Sequence, residues 1–197
     1  MVNYRDCVLV PGLLILVLAL IVFLSLPSLY QSRPGTSDDS TDYVTKVGLF
    51  EVRGNSLAPL IKPGQTIKLL YRYYDSHPVD REDIIAYDYA GNSAPIIKIV
   101  KAIPGDKWHL EKDDQRDSYQ VIVNDKPLRN SVDRIYQIPE SNIQMLKLYA
   151  KSYPTLPEDT YLLLGNQPGG SLDATRFGLI DRTDILGKVE IMSLKKR

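Results

Sequence analysis

Ser56 lies in a segment that could present a nucleophile. Residues 54–59 read Gly-Asn-Ser-Leu-Ala-Pro and follow a strand-like run. A serine hydroxyl attacks well only when a base takes its proton, and a backbone N–H left free at the end of a strand can stabilise the oxyanion that results. Gly54 allows an unusual φ or the close approach of another backbone. The same pattern is also typical of an ordinary turn.

Lys98 is the candidate base. It lies in an Ile-Ile-Lys-Ile-Val-Lys run, in which the period of a strand places it on the same face as Ile96 and Val100 and places Lys101 on the opposite face. Apolar neighbours remove water from an amine and so lower the lysine pKa from about 10.4 toward neutrality. The alternative is a strand lysine whose amine reaches solvent along its own aliphatic stem.

The composition excludes several other kinds of site. The 197 residues carry 24 lysines and arginines against 24 aspartates and glutamates, so no basic field favours nucleic acid. The single cysteine, Cys7, allows neither an intrachain disulfide nor a Cys-rich metal site. The two histidines, His77 and His109, are too few for the usual zinc site. We expect no cofactor, no metal and no nucleic-acid partner.

The N-terminal region predicts one membrane anchor. Residues 7–26 carry no charge, and about 20 apolar residues are what a helix needs to cross a bilayer. This run is longer than the core of a cleaved leader, and no A-x-A-like site follows it. We therefore predict a cytoplasmic N-terminus at 1–6, a transmembrane helix at 7–29, a linker at 30–43 and an extracytoplasmic domain at 44–197.

The remainder of the chain predicts a mainly β fold. Short apolar or alternating runs rich in Val, Ile and Tyr are separated by turn residues. Residues 141–152 could form a helix, and residues 178–192 suggest a final strand pair. We predict a mostly antiparallel β-domain, barrel-like or made of two sheets. The runs predicted as strands are 46–54, 65–74, 82–90, 95–103, 119–125 and 160–166.

Four segments, in order, resemble the sequence boxes of type I signal peptidases. Residues 54–60 are similar to G-x-S-M-x-P-T, and residues 79–87 are similar to a segment ending R-G-D-I-V-x-F. Residues 98–106 are similar to K-R-x-x-G-x-P-G-D, and residues 165–178 to G-D-N-R-x-x-S-x-D-S-R-x-F-G. The Val-Asn-Asp-Lys-Pro-Leu stretch at 123–128 fits as well. The resemblance spans nearly the whole chain.

This resemblance implies a role for each site residue. Ser56 would attack the scissile carbonyl and Lys98 would take its proton. Ser171 would orient the lysine amine by a hydrogen bond. The backbone N–H of Ser56, with help around Gly54, would hold the oxyanion, and Asp173 would support the site.

The resemblance also implies the partners and the location. The substrates would be signal peptides of exported preproteins, with small residues at positions −1 and −3. They would bind as an added β-strand beside the segments that precede Ser56 and Lys98. The domain would face the lipid bilayer on the extracytoplasmic side of the cell membrane.

The sequence departs from these boxes at several positions, which suggests an alternative function. The altered set is similar to the signal-peptidase-like proteins that accompany sortase-built pili, so a catalytically weak or inactive accessory for pilin subunits is the second hypothesis. The presence of Ser56 and Lys98 favours the enzyme. A self-cleaving repressor uses similar chemistry, but the anchor and the lack of an evident helix-turn-helix segment argue against it. The departures are Leu57, Leu60, Ile99, Ala102, Asn166, Gln167, Pro168, Ala174 and Thr175.

Overall fold

The computed structural model describes residues 46–89 and 94–192. The N-terminal segment predicted at 1–6, the anchor predicted at 7–29 and the linker predicted at 30–43 all lie outside this part of the chain. Among the helices described, none has both the length and the hydrophobicity that a bilayer crossing requires.

A seven-stranded sheet forms the larger part of the domain. Its spatial order is β1-β2-β11-β3-β4-β9-β10, so β1 and β10 are its edges and the last strand of the chain lies near its middle. Each neighbouring pair is antiparallel. The strands are β1 Val47–Glu51, β2 Thr66–Tyr71, β3 Ile84–Tyr87, β4 Ile96–Ala102, β9 Thr160–Leu164, β10 Ile180–Asp181 and β11 Ile185–Ile191.

A smaller sheet is inserted between β4 and β9 in the chain. The hairpin of β5 and β6 forms most of it, and two short strands pair with β6. An α-helix, α1, covers Gln144–Ser152, and a single-turn helix, α2, covers Ala174–Phe177. Short 3₁₀ turns cover Tyr73–Asp75, Glu140–Asn142 and Arg182–Asp184. The strands of this sheet are β5 Trp108–Asp113, β6 Ser118–Val123, β7 Lys126–Pro127 and β8 Ile138–Pro139.

The prediction of a mostly antiparallel β-domain is confirmed, and the described strands form two sheets. The predicted helix is present as α1. The predicted final strand pair is wrong in one respect. β10 and β11 are both strands, but β10 pairs with β9 while β11 inserts between β2 and β3. The 3₁₀ turn between them redirects the chain from one side of the sheet to another.

Buried apolar side chains form the core in three clusters. One cluster joins the two sheets, with Trp108 and Tyr136 of the smaller sheet region packed against Leu162 and Leu164 of β9. A second lies under the segment that carries Ser56 and includes Ile61. The third fills the space around β3, β4, β9 and α2. The burial of these apolar surfaces is the main term that stabilises the fold.

Candidate active site

Ser56 begins a tight turn that is anchored in the core. β1 ends at Glu51, and the chain turns at residues 56–60 before it reaches β2. The N–H of Ala58 donates to the carbonyl of Asn55 at 3.0 Å. Leu57 is 1% exposed, so its side chain fixes the turn to the core while the Ser56 side chain remains half-buried. The hydroxyl is therefore held at the surface of a groove by a rigid backbone.

Lys98 approaches Ser56 from the neighbouring part of the sheet. It lies in the middle of β4, opposite Ile85 of β3, and only 3% of the residue is exposed. The Nζ atom lies 3.0 Å from Ser56 Oγ and 2.9 Å from the carbonyl oxygen of Ile97. The structure thus brings together the two residues that the sequence nominates as nucleophile and base, 42 positions apart.

The surroundings of Lys98 favour its neutral form. Burial lowers the pKa of this amine from its ordinary value of 10.5 to about 8, and the nearby Asp173 carboxylate partly opposes the change by favouring the charged form. Lys98 forms no ion pair with any carboxylate in residues 46–89 and 94–192. An amine with a pKa near 8 carries a useful neutral fraction around neutral pH, so it can accept a proton.

Ser56 and Lys98 open into a long groove of about 1000 Å³. One wall is the edge strand β1 with the segment that follows it, and another is the start of β4. Apolar side chains of β2 and β3, including Ile67, Leu69 and Ala86, line its floor. Ser171 and Leu172 lie at the rim. Both histidines lie outside this groove, and within the described ranges there is no His, Cys, Asp and Glu group suited to hold a metal.

Asp173 organises the segment on the far side of the groove. It is completely buried, and it caps α2 by accepting from the N–H and Oγ1 of Thr175 at 3.1 and 2.9 Å. Its other carboxylate oxygen accepts from the N–H of Gly165 at 2.9 Å, and from the N–H and Oγ of Ser171 at 3.0 and 2.7 Å. Neutral donors thus satisfy this carboxylate. Thr175, one of the departures from the resembled box, supplies two of them.

Ser171 lies close to the site, but its hydrogen bond differs from the expected one. The resemblance implies a bond to the Lys98 amine. The Ser171 hydroxyl instead donates to Asp173, and the Lys98 amine contacts Ser56 and the Ile97 carbonyl. The single hydroxyl hydrogen of Ser171 is thus donated to a buried carboxylate, and hydrogen bonds to charged groups are stronger than neutral ones.

Gly165, rather than Gly54, is the glycine that the site requires. The backbone of Gly54 does not adopt a positive φ, and an added Cβ there would meet no atom within 4 Å. At Gly165, a Cβ would clash with the Ser171 hydroxyl and lie 2.8 Å from the Ser56 carbonyl oxygen. The close approach expected at Gly54 therefore occurs at Gly165, which the sequence gives only as the first residue of the fourth box.

Two further residues of the fourth box contact the Ser56 turn. The N–H of Asn166 donates to the Ser56 carbonyl at 2.6 Å. The Nε2 of Gln167 donates to the carbonyls of Asn55 and Ala58, each at 3.2 Å. Sequence reasoning treats both residues only as departures, because contacts between segments more than 100 positions apart leave no local pattern.

Comparison with known proteins gives a family match over the whole described region. A sequence model described as signal peptidase, peptidase S26, matches residues 42–194, which include Ser56, Lys98, Ser171 and Asp173. The chain is similar to signal peptidase IB of Staphylococcus aureus strains Mu50 and N315. Each is 24% identical over 154 residues, which cover 71% of this chain and 74% of the relative.

A crystal structure of a signal peptidase I from Enterococcus faecalis V583 is also similar to the chain. The TM-score is 0.39 with 21% identity, over 59% of this chain and 97% of the other.

Proposed function

Since the chain belongs to the signal peptidase family, peptidase S26, we propose that it is a membrane-bound serine endopeptidase that removes N-terminal signal peptides from exported proteins. Ser56 is its nucleophile and Lys98 its general base. The observation that carries this proposal is the 3.0 Å contact between Lys98 Nζ and Ser56 Oγ, made at the wall of a large groove. A serine in an ordinary turn, or a lysine whose amine reaches solvent, would need neither this contact nor this groove.

The geometry supports a two-step acyl transfer. Neutral Lys98 takes the proton of Ser56 while Oγ attacks the scissile carbonyl carbon, and the N–H of Ser56 donates to the oxyanion. Lys98 then gives that proton to the departing amine, so the peptide bond breaks and an ester remains on Ser56. In the second step Lys98 takes a proton from water, hydroxide attacks the ester, and the proton returns to Ser56 as the signal peptide leaves.

The groove suits a substrate in extended conformation. β1 is an edge strand, so one side of its backbone is free to pair with an added strand. The side chains of such a strand alternate in direction, and every second one would enter the apolar floor formed by residues such as Leu69 and Ala86. Small apolar residues at positions −1 and −3 of a preprotein meet these requirements.

Apolar side chains exposed beside the groove support a location at the membrane. Val47, Leu49 and Phe50 of β1 are 41 to 62% exposed, and Leu172 at the rim is 49% exposed. Ile191 and Met192 at the end of β11 are also exposed. A lipid bilayer, held close by the anchor expected at 7–29, is the partner that we propose for this surface.

The second hypothesis uses the same groove without the chemistry. A module that holds pilin subunits by strand addition needs the free edge of β1 but not a buried amine beside a serine. The departures that raise this hypothesis include Thr175, which stands where the resembled box has an arginine. Because Thr175 itself bonds the Asp173 carboxylate, this departure leaves the carboxylate well satisfied, and the enzyme remains our proposal.

The proposal is tested with the purified full chain in detergent and a preprotein that has small residues at −3 and −1. We expect cleavage by the unmodified protein at that site, read by mass spectrometry of the products. Ser56→Ala should lose more than about 10⁴-fold of this activity. Ser141→Ala, which changes an exposed serine far along the chain, is the matched control and should cleave normally.

Cleavage retained in Ser56→Ala would remove Ser56 from the mechanism. If the folded, unmodified protein leaves both preproteins and pilin precursors intact but binds the pilin precursors, the accessory hypothesis replaces the enzyme.

A further inference from the structure

The amide of Asn166 connects the Ser56 turn to a loop of the smaller sheet. Asn166 is 1% exposed and follows β9. On one side, its backbone N–H donates to the Ser56 carbonyl at 2.6 Å, and its Nδ2 donates to the Ala58 carbonyl at 3.2 Å. Both acceptors belong to the turn that carries the nucleophile.

On the other side, Asn166 bonds the loop between β7 and β8. Its Nδ2 donates to Ser131 Oγ at 2.7 Å, and its Oδ1 accepts from the N–H of Ser131 at 2.8 Å. The Nδ2 of Asn130 donates to the Asn166 carbonyl at 2.9 Å. Both Nδ2 hydrogens and the side-chain oxygen of Asn166 are thus used. Because buried polar groups are costly to leave unpaired, the amide is held in one orientation.

The loop that receives these bonds is itself rigid. The Oδ1 of Asn130 accepts from the N–H groups of Val132 and Arg134 at 3.1 and 3.0 Å. These two bonds hold the backbone of the loop around the Asn130 side chain. Tyr136, which is completely buried, donates its hydroxyl to the Gly165 carbonyl at 2.5 Å. The smaller sheet therefore holds residues 165–166 at several points, and these residues hold the turn.

An asparagine performs this connection in a way that an aspartate cannot. The side chain must donate to the Ala58 carbonyl and accept from the Ser131 N–H at the same time, and a carboxylate has no hydrogen to donate. The resembled box has aspartate at this position, so the arrangement belongs to this chain's own sequence. The second partner, Ser131, lies in a loop that none of the four boxes includes.

We propose that Asn166, together with Ser131, is a positioning residue that fixes the Ser56 turn against Lys98. This inference rests on the proposed function of Ser56 as nucleophile. A displacement of the turn would lengthen the contact between Ser56 Oγ and Lys98 Nζ and would rotate the Ser56 N–H away from the oxyanion. Both changes act on the chemical step, whereas the parts of the groove formed by β1, β2, β3 and β4 are left in place.

The kinetic test compares Asn166→Ala, Asn166→Asp and Ser131→Ala with the unmodified full chain. We expect kcat to fall between about tenfold and a hundredfold in Asn166→Ala, with KM within about twofold. Asn166→Asp should lose at least as much kcat as Asn166→Ala, because it places a buried carboxylate oxygen against the Ala58 carbonyl with no hydrogen to donate. Ser131→Ala should reduce kcat less than Asn166→Ala does.

Asn124→Ala is the matched control. The Asn124 side chain also donates and accepts, to Asp106 at 2.7 Å and from the N–H of Lys107 at 3.0 Å, in a part of the domain that does not line the groove. Its φ of 47° is unfavourable for alanine, so this variant loses stability as well. We expect its Tm to fall while kcat stays unchanged. An unchanged kcat in folded Asn166→Ala, or an equal loss of kcat in Asn124→Ala, would overturn the proposal.

A second readout does not require activity. The backbone amide resonance of Ser56 in a ¹⁵N–¹H NMR spectrum should shift in Asn166→Ala and in Ser131→Ala and stay in place in Asn124→Ala. If the unmodified protein fails to cleave any preprotein, the proposed function fails, but this resonance still decides whether Asn166 positions the turn. A resonance unmoved in Asn166→Ala would reject the positioning role.

Discussion

Lys98 and Lys101 lie three positions apart on the same strand and are both buried, yet their surroundings differ. Lys101 is 2% exposed, and its amine contacts both carboxylate oxygens of Glu82 at 2.8 Å and the carbonyl of Arg129 at 2.8 Å. Lys98 is 3% exposed, and its amine contacts a serine hydroxyl and one carbonyl. One amine is compensated by a carboxylate, and the other has only neutral hydrogen-bond partners.

The difference shows that burial alone does not make a lysine into a base. A carboxylate partner stabilises the ammonium form and so offsets the cost of removing it from water. Lys98 lacks such a partner in the described part of the chain, so burial lowers its pKa to about 8. Within β4, the protein therefore combines one lysine suited to proton transfer with one suited to joining segments.

Within this comparison, the largest effect is expected for Lys98→Met, and Lys101→Met is its matched control, because methionine fills a similar volume without titrating. Lys98→Met should reduce kcat/KM by more than about 10³-fold, because the base is lost. Lys101→Met should retain activity within about threefold. Cleavage of a preprotein and circular dichroism of both variants check this. A loss of the same size in folded Lys101→Met would show that the contrast between the two amines is not functional.

The dependence of the rate on pH should report Lys98. The amine must be neutral to take the Ser56 proton, and its pKa is about 8, so kcat/KM should be constant above this pH. Below it, the neutral fraction and the rate should fall about tenfold per pH unit. Lys101→Met should leave the midpoint unchanged. A rate that stays flat from pH 6 to 9 would contradict the assignment of Lys98 as the base.

Ser171→Ala should have an intermediate effect on cleavage. It removes the hydroxyl that donates to Asp173 at the rim of the groove, so one carboxylate lone pair beside the site loses its partner. We expect kcat/KM to fall about tenfold. Ser118→Ala makes the same change at a buried serine of β6, which donates to Gln137, and should cleave at the normal rate. Equal rates in the two variants would show that Ser171 does not act on the site.

The smallest expected effect concerns stability alone. Glu82→Gln removes the charge that compensates Lys101, but the Glu82 side chain is 66% exposed and its ion pair is screened by water. We expect a loss of about 1 kcal/mol, or a Tm lower by roughly 2–4 °C, with unchanged cleavage. Glu111→Gln on the exposed side of β5 is the control. If Glu82→Gln reduces cleavage in a stably folded protein, the Lys101 pair also acts on the site.

The sequence predicts the local elements of this fold better than their partners. The alternating and apolar runs become β1 to β4, β6 and β9, because their patterns match a half-buried strand. The sequence does not predict β5, because only Trp108 and Leu110 of its six residues are apolar. The insertion of β11 between β2 and β3 could not be foreseen, because pairing partners are set by long-range packing rather than by the strand's own sequence.

The same limit applies to the site. Period-two alternation places Ile96 with Val100, and these two side chains do share one apolar cluster. The burial of Lys101 follows from a contact with Glu82, 19 positions earlier, that the run containing Lys101 does not encode.

Glu82 has a φ of 68° and stands where the resembled box has glycine. Glycine adopts such a φ at little cost, whereas glutamate does not. At this position the glutamate side chain forms the ion pair with Lys101.

The position of β11 sets the order in which the site can be assembled during synthesis. The Ser56 turn connects β1 to β2, and Lys98 lies in β4, which pairs with β3; β11 is the strand that joins β2 to β3. A growing chain that has not yet extended past Ile185 contains both residues but no sheet that connects them. The two parts of the sheet that carry Ser56 and Lys98 are therefore joined only after β11 has been made.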